Sequence, residues 1–408
     1  MKVVILNSVI SESTSTGRLI REISEYLIEN GEDVTVFYSQ TKGINNIPAY
    51  AKKFGHGFEN KIHAFLSRLT GKQGYYSYLG TKALIRNIKK EKPDIVHLHN
   101  LHSNDVCLPM LFKFLKKEDI GVVINLHDCW YYTGRCYHYK NVNCEQWKTG
   151  CSRCPPGCRS NPYWFFSQTK KLSKDKRSFF SIKKIRIVGV SKWIESEAKK
   201  SFILQTKEIV SIYNWIDLNV FSPNKKGEFR EKHGLNDKRI VLGVCSKWVK
   251  DKGLDDLLLL SKHLSDDIQL VLVGSVDDKI QEEYKDKILF LPPIYDKNLL
   301  AQTYADADVY VNLSKEESFG LTNAEALASG TPIIVYNSTA GPELVGDGCG
   351  YVARIDDIDD VLFGINELIK ANRELLRVSC SNFARENFDK NKNIKKYLEL
   401  YKGLSQGD

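Results

Sequence analysis

The chain has 408 residues, of which 42% are hydrophobic and 27% charged, and this composition is typical of a globular protein with two or three domains. No apolar run of about 18 residues appears, and the amino-terminal segment becomes polar at Ser11, so neither a membrane-spanning helix nor a signal peptide is predicted. These features predict a cytoplasmic protein. The net charge of +9 suits a nucleic acid, a nucleotide or an anionic membrane surface, and it does not choose among them.

The amino-terminal residues predict the beginning of a parallel β-sheet. Residues 2–6 are continuously apolar, residues 7–17 form a small polar loop, and a periodic helix then leads to a strand at 33–38. The loop therefore meets a helix start at the carboxyl edge of the sheet, where parallel sheets bind ligands. Thr16 and Gly17 could bind a phosphate or an acceptor there, and a helix cap at Thr16 is an equally good interpretation.

Residues 57–72 predict a basic amphipathic helix, whose apolar face either packs on the sheet or lies at a membrane interface. Residues 170–186 hold eight basic residues and one acidic residue around Phe179 and Phe180. This run could contact a membrane or a nucleic acid, although such runs are usually solvated. The apolar face of the first segment consists of Phe58, Ile62, Phe65, Leu66 and Leu69, with Lys61, Arg68 and Lys72 off it.

Histidines mark the ends of two further predicted strands. His97, His99 and His102 are interleaved with apolar residues and have no accompanying pair of carboxylates, so the sequence favours a place near substrate over a zinc site. The next strand ends at His127, whose neighbour Asp128 could orient its ring. His127 is the candidate for a polar catalytic residue, and a buried structural histidine is the alternative.

Six of the ten cysteines lie between residues 129 and 158. Four of them, Cys136, Cys144, Cys151 and Cys154, could hold a structural zinc ion as thiolates. Only one C-x-x-C pair is present, so a loop of free thiols is the alternative. Disulfides are not expected in a reducing compartment.

A second parallel sheet is predicted after a polar linker at 224–237. Its first strand is followed by a loop that contains Lys247 and Lys252, at the carboxyl edge of the sheet. Both ammonium groups could therefore reach a diphosphate.

Residues 314–336 predict a loop, a helix, a turn and a strand in succession. The helix is predicted to start near Phe319, and its first amides have no partner in the helix, so a phosphate could bind there. Glu317 precedes the helix and Glu325 lies about two turns inside it. Because an ionised carboxylate only accepts hydrogen bonds, these residues suit the hydroxyls of a sugar and a ribose on either side of a diphosphate.

The string ESFGLTNAEALASGTPIIV, within residues 314–336, resembles the donor-site signature of the retaining nucleotide-sugar glycosyltransferases of family 4, also called group 1. The resemblance spans nearly the whole chain. Within that family, the chain resembles the bacterial polysaccharide-biosynthesis branch. It implies an α/β protein of the GT-B fold, with two Rossmann-like domains facing each other across a cleft. The implied boundaries are an acceptor domain at 1–223 with a returning carboxyl-terminal helix at 385–408, the linker at 224–237, and a donor domain at 238–384.

The resemblance also implies roles for particular residues. Glu317 would face the transferred sugar, Glu325 would hold the ribose hydroxyls, and His127 would face the reacting sugar and the acceptor. The chain departs from the family at Lys247, where arginine is usual, and at Thr16-Gly17, where a double glycine is usual. The remaining implied donor-binding residues are Lys247, Lys252, Ser318, Phe319, Gly320, Leu321 and Ile294, the last near the nucleotide base.

The implied activity is transfer of a sugar from a nucleotide diphosphate sugar to a lipid-linked or glycan acceptor in the synthesis of capsule, O-antigen or exopolysaccharide. No cofactor is implied for catalysis, and the chain would be cytoplasmic or peripheral on the inner face of the plasma membrane. A nucleotide-sugar epimerase of the same fold is the alternative. A basic nucleic-acid-binding protein built around the cysteines is disfavoured, because the basic residues are scattered over both domains.

Overall fold

The chain divides into two compact units in the computed structural model. Unit 1 comprises Met1–Ile212 and Ile394–Asp408, and unit 2 comprises Tyr213–Asn393. Each unit combines a large parallel β-sheet with helices, which confirms the predicted α/β class. The residues described are 1–12, 14–44, 46–225 and 227–406, so Lys226 of the predicted linker and the last two residues of the predicted carboxyl-terminal helix lie outside the described residues.

Unit 1 contains a seven-stranded sheet whose neighbouring strands are all parallel. The strand order is β11-β10-β7-β6-β1-β3-β5, so the sheet grows in both directions from β1 and the order reverses between β1 and β6. Two small two-stranded sheets pair β2 with β4 and β8 with β9. The strands are β1 Lys2–Leu6, β2 Val9–Ser11, β3 Asp33–Tyr38, β4 Gln40–Lys42, β5 Ala51–Lys53, β6 Ile95–Leu98, β7 Gly121–Leu126, β8 Cys136–His138, β9 Arg159–Ser160, β10 Ile185–Gly189 and β11 Ile209–Ser211.

The helices of unit 1 include one that is contributed by the end of the chain. The α14 helix starts in unit 2, and its residues from Ile394 onward belong to unit 1. Its buried Tyr397 donates a hydrogen bond to Asn125 Oδ1 at 2.9 Å, and Tyr401 lies 2.7 Å from His97 Nδ1. The helices are α1 Ser15–Glu29, α2 Gly57–Thr70, α3 Tyr78–Glu91, α4 Leu108–Leu115, α5 Thr169–Phe179, α6 Lys192–Lys200 and α14 Lys390–Gln406.

Unit 2 contains a six-stranded parallel sheet in the order β14-β13-β12-β15-β16-β17. The order reverses between β12 and β15, as it does in a doubly wound sheet. The strands are β12 Arg239–Lys247, β13 Ile268–Ser275, β14 Ile288–Leu291, β15 Val309–Asn312, β16 Ile333–Tyr336 and β17 Gly350–Ala353.

The core of unit 2 joins two helices to this sheet. Leu257 and Leu260 of α8 are fully buried in one cluster with Val361 and Ile365 of α12 and Leu272 of β13. Burial of each such side chain contributes about 1.5–3 kcal/mol. The helices of unit 2 are α7 Phe229–Lys232, α8 Leu254–Ser261, α9 Asp278–Tyr284, α10 Lys297–Asp306, α11 Leu321–Ala328, α12 Ile358–Lys370 and α13 Arg373–Asn387.

The segment predicted as a polar linker packs on unit 2. Phe229 is buried, and its amide donates to Asp306 Oδ2 at 3.2 Å. Arg230 forms an ion pair with Asp308 at 2.6 Å. The division by contacts falls after Ile212, whereas the predicted domain boundary falls at residue 223.

The amphipathic α2 helix packs through its polar side. Its buried residues are His63 and Ser67, whereas Phe58, Ile62 and Phe65 are exposed. His63 Nδ1 lies 2.8 Å from Ser77 Oγ, and its Nε2 accepts the amide of Gly74 at 3.2 Å. The interpretation in which the apolar face packs on the sheet is therefore wrong for these three residues.

None of the described helices combines the length and the apolar composition that crossing a bilayer requires.

Gly253 offers a test of the turn that leads into α8. Its φ is +78°, and a Cβ there would lie 2.5 Å from the carbonyl oxygen of Leu313. We expect Gly253→Ala to lower the free energy of unfolding by about 1–2 kcal/mol from left-handed strain, and by about 1–3 kcal/mol more from the clash. Gly234→Ala is the matched control, because its φ is +65° and its Cβ would meet open space. Urea unfolding followed by fluorescence measures both losses, and equal losses would contradict the clash.

Candidate functional site

Unit 2 places two loops side by side where its strand order reverses. β12 and β15 are neighbours in the sheet. From β12 the sheet continues through β13 and β14 on one side, and from β15 it continues through β16 and β17 on the other. The loops that follow these two strands therefore flank a crevice at the carboxyl edge, which is where open α/β sheets bind ligands. Residues 248–253 form the first loop and residues 313–320 form the second.

An ion pair joins these two loops. Lys252 Nζ lies 2.6 Å from Glu317 Oε1, and both side chains are partly exposed. Lys247 ends β12 with an exposed side chain, whereas Lys315 in the second loop pairs with Asp356. The structure therefore brings together Lys252 and Glu317, two residues that the sequence predicted separately and whose contact it did not reveal.

The start of α11 provides backbone donors beside this ion pair. Gly320 has a φ of +92° and precedes the helix. The amides of Asn323 and Ala324 donate to the Gly320 carbonyl at 3.1 and 3.2 Å. The amides of Leu321 and Thr322 precede the first of these bonds, so they have no carbonyl partner within the helix. These amides and the positive end of the helix dipole suit an anion, and binding of an anion there stays a prediction.

Packing and hydrogen bonds fix the loop that carries Glu317. Phe319 is buried, and its ring centroid lies 5.8 Å from that of Tyr213 and 5.4 Å from that of Phe388. The Glu317 amide donates to Thr339 Oγ1 at 2.9 Å. The Phe319 side chain therefore anchors the loop. Because this side chain is buried, Phe319 could contact the donor only through its backbone. Ser318 is half-buried in the same loop.

Two other predicted donor residues differ in exposure. Glu325 lies on α11 with only 6% of its surface exposed, and its Oε2 accepts the hydroxyl of Tyr304 at 3.2 Å. Ile294 is half-buried in the loop after β14, beside the exposed Tyr295. Contact of Glu325 with a ribose stays a prediction. Because Glu325 is largely buried, only a small part of its surface could contact the ribose.

Unit 1 collects three of the predicted histidines. His127 Nε2 lies 2.8 Å from His99 Nδ1, and the two rings are stacked with centroids 5.1 Å apart. His97 lies next to His99, with a centroid separation of 4.0 Å. Asp128 accepts from His102 Nε2 at 3.2 Å and from the Trp130 amide at 2.8 Å. The prediction that Asp128 orients His127 is therefore wrong, because His99 holds that ring instead.

Burial keeps these rings uncharged. It lowers the pKa of His127 to about 4 and that of His97 to about 3. Both imidazoles are therefore neutral at pH 7, where each ring has one donor and one acceptor nitrogen. A neutral His127 can exchange hydrogen bonds with a bound ligand, but it is a weak base for proton removal near neutral pH.

The structure explains the Thr16-Gly17 pair, predicted as a phosphate-binding loop, by the way in which the α1 helix begins. Thr14, and not Thr16, caps α1, since its Oγ1 accepts the amide of Gly17 at 3.3 Å. A Cβ at Gly17 would lie 2.3 Å from the carbonyl oxygen of Ser11, so the loop itself requires this glycine. Thr16 is half-buried in the first turn of α1. Binding of a phosphate or an acceptor at Thr16 and Gly17 stays a prediction.

The cysteine segment brings together a different set from the predicted one. The sulfur atoms of Cys136, Cys154 and Cys158 all lie within 4.8 Å of one another. Cys144 and Cys151, two of the four predicted zinc ligands, lie outside this group. Cys158 lies outside the C-x-x-C spacing, and the turn after Cys154 brings it to the other two sulfurs.

Two family descriptions together match most of the chain. Residues 16–220 match Glycosyltransferase Family 4, and residues 225–387 match Glycosyl transferases group 1. The first range contains the histidine cluster, and the second contains both loops at the crevice of unit 2.

The relatives and solved structures are similar at low identity. A 41.2 kDa uncharacterized protein in the cps region of Klebsiella pneumoniae is 22% identical over 326 residues, which cover 78% of this chain and 81% of that protein. The O-antigen biosynthesis glycosyltransferase WclY of Escherichia coli is 23% identical, covering 76% and 79%. The crystal structure of Alr3699/HepE from Anabaena in complex with UDP and glucose covers 99% of this chain and 100% of its own, with a TM-score of 0.66 and 16% identity. This likeness confirms the GT-B fold.

The buried histidines predict a loss of stability in mild acid. In the unfolded chain each has a pKa near 6.5, whereas burial lowers the pKa of His63 to about 4 in the folded protein. The unfolded state therefore binds more protons below pH 6.5, and the free energy of unfolding falls as the pH drops from there toward 4, by up to about 1.4 kcal/mol per pH unit for each histidine.

Urea midpoints between pH 8 and pH 4.5 measure this loss. His63→Asn should make the loss shallower, and His56→Asn should leave it unchanged, because His56 is exposed. A midpoint that stays constant from pH 7 to pH 5, or equal slopes in both variants, would contradict the assignment.

Proposed function

Because the chain belongs to the glycosyltransferases of family 4 and group 1, we propose that it transfers a sugar from a nucleotide diphosphate sugar to an acceptor with retention of the anomeric configuration. The contact that supports this proposal most directly is the ion pair between Lys252 and Glu317 beside the start of α11. It puts a cation, a carboxylate and free amides in one crevice, which is the chemistry that a sugar diphosphate requires.

The donor occupies the crevice of unit 2 in this proposal. Lys252 and Lys247 approach the diphosphate, and the amides of Gly320 and Leu321 donate to its oxygens. Lys252 then exchanges its contact with Glu317 for the diphosphate, which leaves the Glu317 carboxylate to accept hydroxyls of the sugar. A nucleotide donor agrees with the presence of UDP and glucose in the solved Anabaena structure of the same fold.

Charge stabilisation accounts for the rate enhancement. Cleavage of the anomeric C–O bond builds negative charge on the leaving diphosphate, so fixed cations and amides bind the transition state more tightly than the bound donor. These groups belong to the chain itself, and the proposal requires no cofactor for catalysis. Retention would follow from a front-face substitution, in which the acceptor attacks from the side of the leaving group.

His127 supplies a polar contact in unit 1. Its ring is held by His99 at 2.8 Å and is neutral at pH 7. In the proposal this ring contacts a hydroxyl of the sugar or the acceptor and does not carry a proton away.

Replacement of Lys252 tests the donor site. We expect Lys252→Ala to lower turnover by about 100-fold or more, because it removes a cation beside the developing charge. Lys250→Ala is the matched control, since its side chain is 85% exposed and lies 3.9 Å from Asp255. Turnover is measured over a panel of nucleotide sugars with glycan and lipid-linked acceptors. Near-normal turnover by Lys252→Ala would contradict the diphosphate assignment.

Analysis of the products in the same assay tests the reaction type. Nuclear magnetic resonance of the product should show the anomeric configuration of the donor. An inverted product would refute retention. Each nucleotide sugar is also incubated without acceptor, and an isomerised sugar in that sample would indicate an epimerase.

The proposed acceptor is a glycan or a lipid-linked precursor of a bacterial surface polysaccharide. This part of the proposal rests on the names of two relatives, one in a cps region and one in O-antigen biosynthesis. An acceptor carried on a lipid would lie at the inner face of the plasma membrane, so the protein would work in the cytoplasm and dock there peripherally. The proposal includes no nucleic-acid partner.

An exposed aromatic patch in unit 1 supports docking on a membrane. The Phe65 and Trp164 rings contact edge to face with centroids 5.5 Å apart, and the Trp164 amide donates to the Arg68 carbonyl at 2.7 Å. Burial of such side chains in a membrane interface contributes about 1.5–3 kcal/mol each when complete. We define the aromatic patch as Phe58, Ile62, Phe65, Trp164, Phe165 and Phe166, all of which are exposed.

Cations near the aromatic patch suit an anionic surface. Lys61 and Arg68 are exposed on α2, and each cation near an anionic membrane contributes about 1 kcal/mol. The predicted basic run contributes less than its sequence suggested. Lys176 is buried with its ammonium group 3.1 Å from the Thr133 carbonyl, and Phe180 is buried as well.

Flotation with liposomes tests this docking surface. We expect the purified chain to float with anionic liposomes, and both high salt and Phe65→Asp should reduce the floated fraction, because docking uses charge and apolar contact together. Phe363→Asp is the matched control, since Phe363 lies in unit 2 and is 55% exposed against 51% for Phe65. Absence of flotation, or flotation indifferent to salt and to Phe65→Asp, refutes docking through this patch.

A further inference from the structure

Three cysteine sulfurs form a compact cluster in unit 1. The sulfur atoms of Cys136, Cys154 and Cys158 lie within 4.8 Å of one another, and those of Cys136 and Cys158 are 2.6 Å apart. Cys136 is buried, and the other two are half-buried. Neither the donor chemistry nor the proposed docking surface uses these thiols.

The local fold brings the three cysteines together from distant positions. Cys136 lies on β8, which pairs antiparallel with β9 just beyond Cys158. A turn at Pro155 and Pro156 closes through Gly157, whose φ is +77°, and returns Cys158 to the side of Cys154. The backbone therefore positions the sulfurs by a hairpin and a turn, as ligands of a structural metal are positioned.

The cluster also adjoins a buried cation with unsatisfied hydrogen-bonding groups. Arg135 is 1% exposed, its Nη2 donates to the Asn161 carbonyl, and its guanidinium lies 4.4 Å above the ring of Tyr163. Its Nε and Nη1 atoms have no hydrogen-bond partner in the described part of the chain.

No carboxylate among the described residues lies within ion-pairing distance of Arg135. A buried, uncompensated cation is unfavourable, so this position indicates negative charge on the neighbouring sulfurs. Three neutral thiols would not supply that charge. Three or four thiolates bound to one divalent cation carry a net negative charge, which would compensate the guanidinium.

We propose that Cys136, Cys154 and Cys158 bind a structural zinc ion as thiolates. Zinc accepts thiolate ligands at about 2.3 Å in a tetrahedral arrangement, which corresponds to sulfur separations of roughly 3.8 Å. The Cys136 and Cys158 sulfurs, 2.6 Å apart, are closer than this spacing, and all three lie within 4.8 Å, so side-chain rotations that separate these two sulfurs are needed to reach it. Each thiol releases its proton to solvent as the ion binds.

The fourth ligand lies outside the three-sulfur group. Cys144 and Cys151 belong to the same segment, and the Cys151 sulfur accepts the amide of Gly134 at 3.2 Å. One of these two thiolates, or a water molecule, completes the tetrahedron. In either case the ion would tie β8 to the turn at 155–157 and, through the Cys154 contact with Thr169 at 3.6 Å, to the start of α5.

Metal analysis of the purified full-length chain tests the proposal. We expect about one zinc ion per chain by elemental analysis, with X-ray absorption showing zinc–sulfur distances of about 2.3 Å. Cys158→Ser should lose the ion, and Cys245→Ser in unit 2 should retain it. Chelation should lower the melting temperature of the wild type, because a structural ion stabilises only the folded chain.

The other outcomes discriminate between arrangements of the cysteines. Loss of zinc in either Cys144→Ser or Cys151→Ser, together with its loss in Cys158→Ser, identifies the fourth ligand and supports the site. Zinc retained in Cys158→Ser overturns it in favour of the set predicted from spacing. Iron or copper in place of zinc overturns it, as does a wild type without metal. Fewer than ten reactive thiols in metal-free, unreduced, denatured protein would indicate a disulfide and overturn it too.

Discussion

The carboxyl ends of parallel strands meet at one edge of a sheet, and this constraint determines where unit 2 can bind a ligand. Because the strand order reverses between β12 and β15, the loops after these strands are neighbours that no further strand separates. Lys252 and Glu317 are far apart in sequence, and this arrangement of the loops lets them meet at 2.6 Å. The first turn of α11 points its amides at the same place because the helix must return antiparallel to the strands.

Features that depend on local sequence were predictable. The apolar run after Pro332 forms β16, and the periodic residues after Gly320 form α11, although the helix begins at Leu321 and not at Phe319. Both elements are read from the spacing of apolar residues, which neighbouring segments do not alter. The α/β class and the GT-B fold follow from the succession of such elements together with the quoted signature.

Features that depend on which segments become neighbours were not predictable. His127 was expected beside Asp128, its neighbour in sequence, but its ring contacts His99 from another strand. Cys158 joins the sulfur cluster because the chain turns after Cys154, and the spacing of the cysteines does not show which sulfurs that turn brings together. The packing of the α2 helix was not predictable for the same reason. The side of α2 that packs consists of polar residues, and their hydrogen-bond partners, such as Ser77 for His63, become neighbours only in the folded chain.

The carboxyl-terminal helix has a consequence for biosynthesis. Tyr397 and Tyr401 are buried in unit 1, where they contact Asn125 and His97, but they follow all of unit 2 in the sequence. During translation, the strands of unit 1 emerge from the ribosome long before the residues that cover these polar groups. Since domains usually fold in the order of their synthesis, this chain is an exception: the unit that is translated first is completed last.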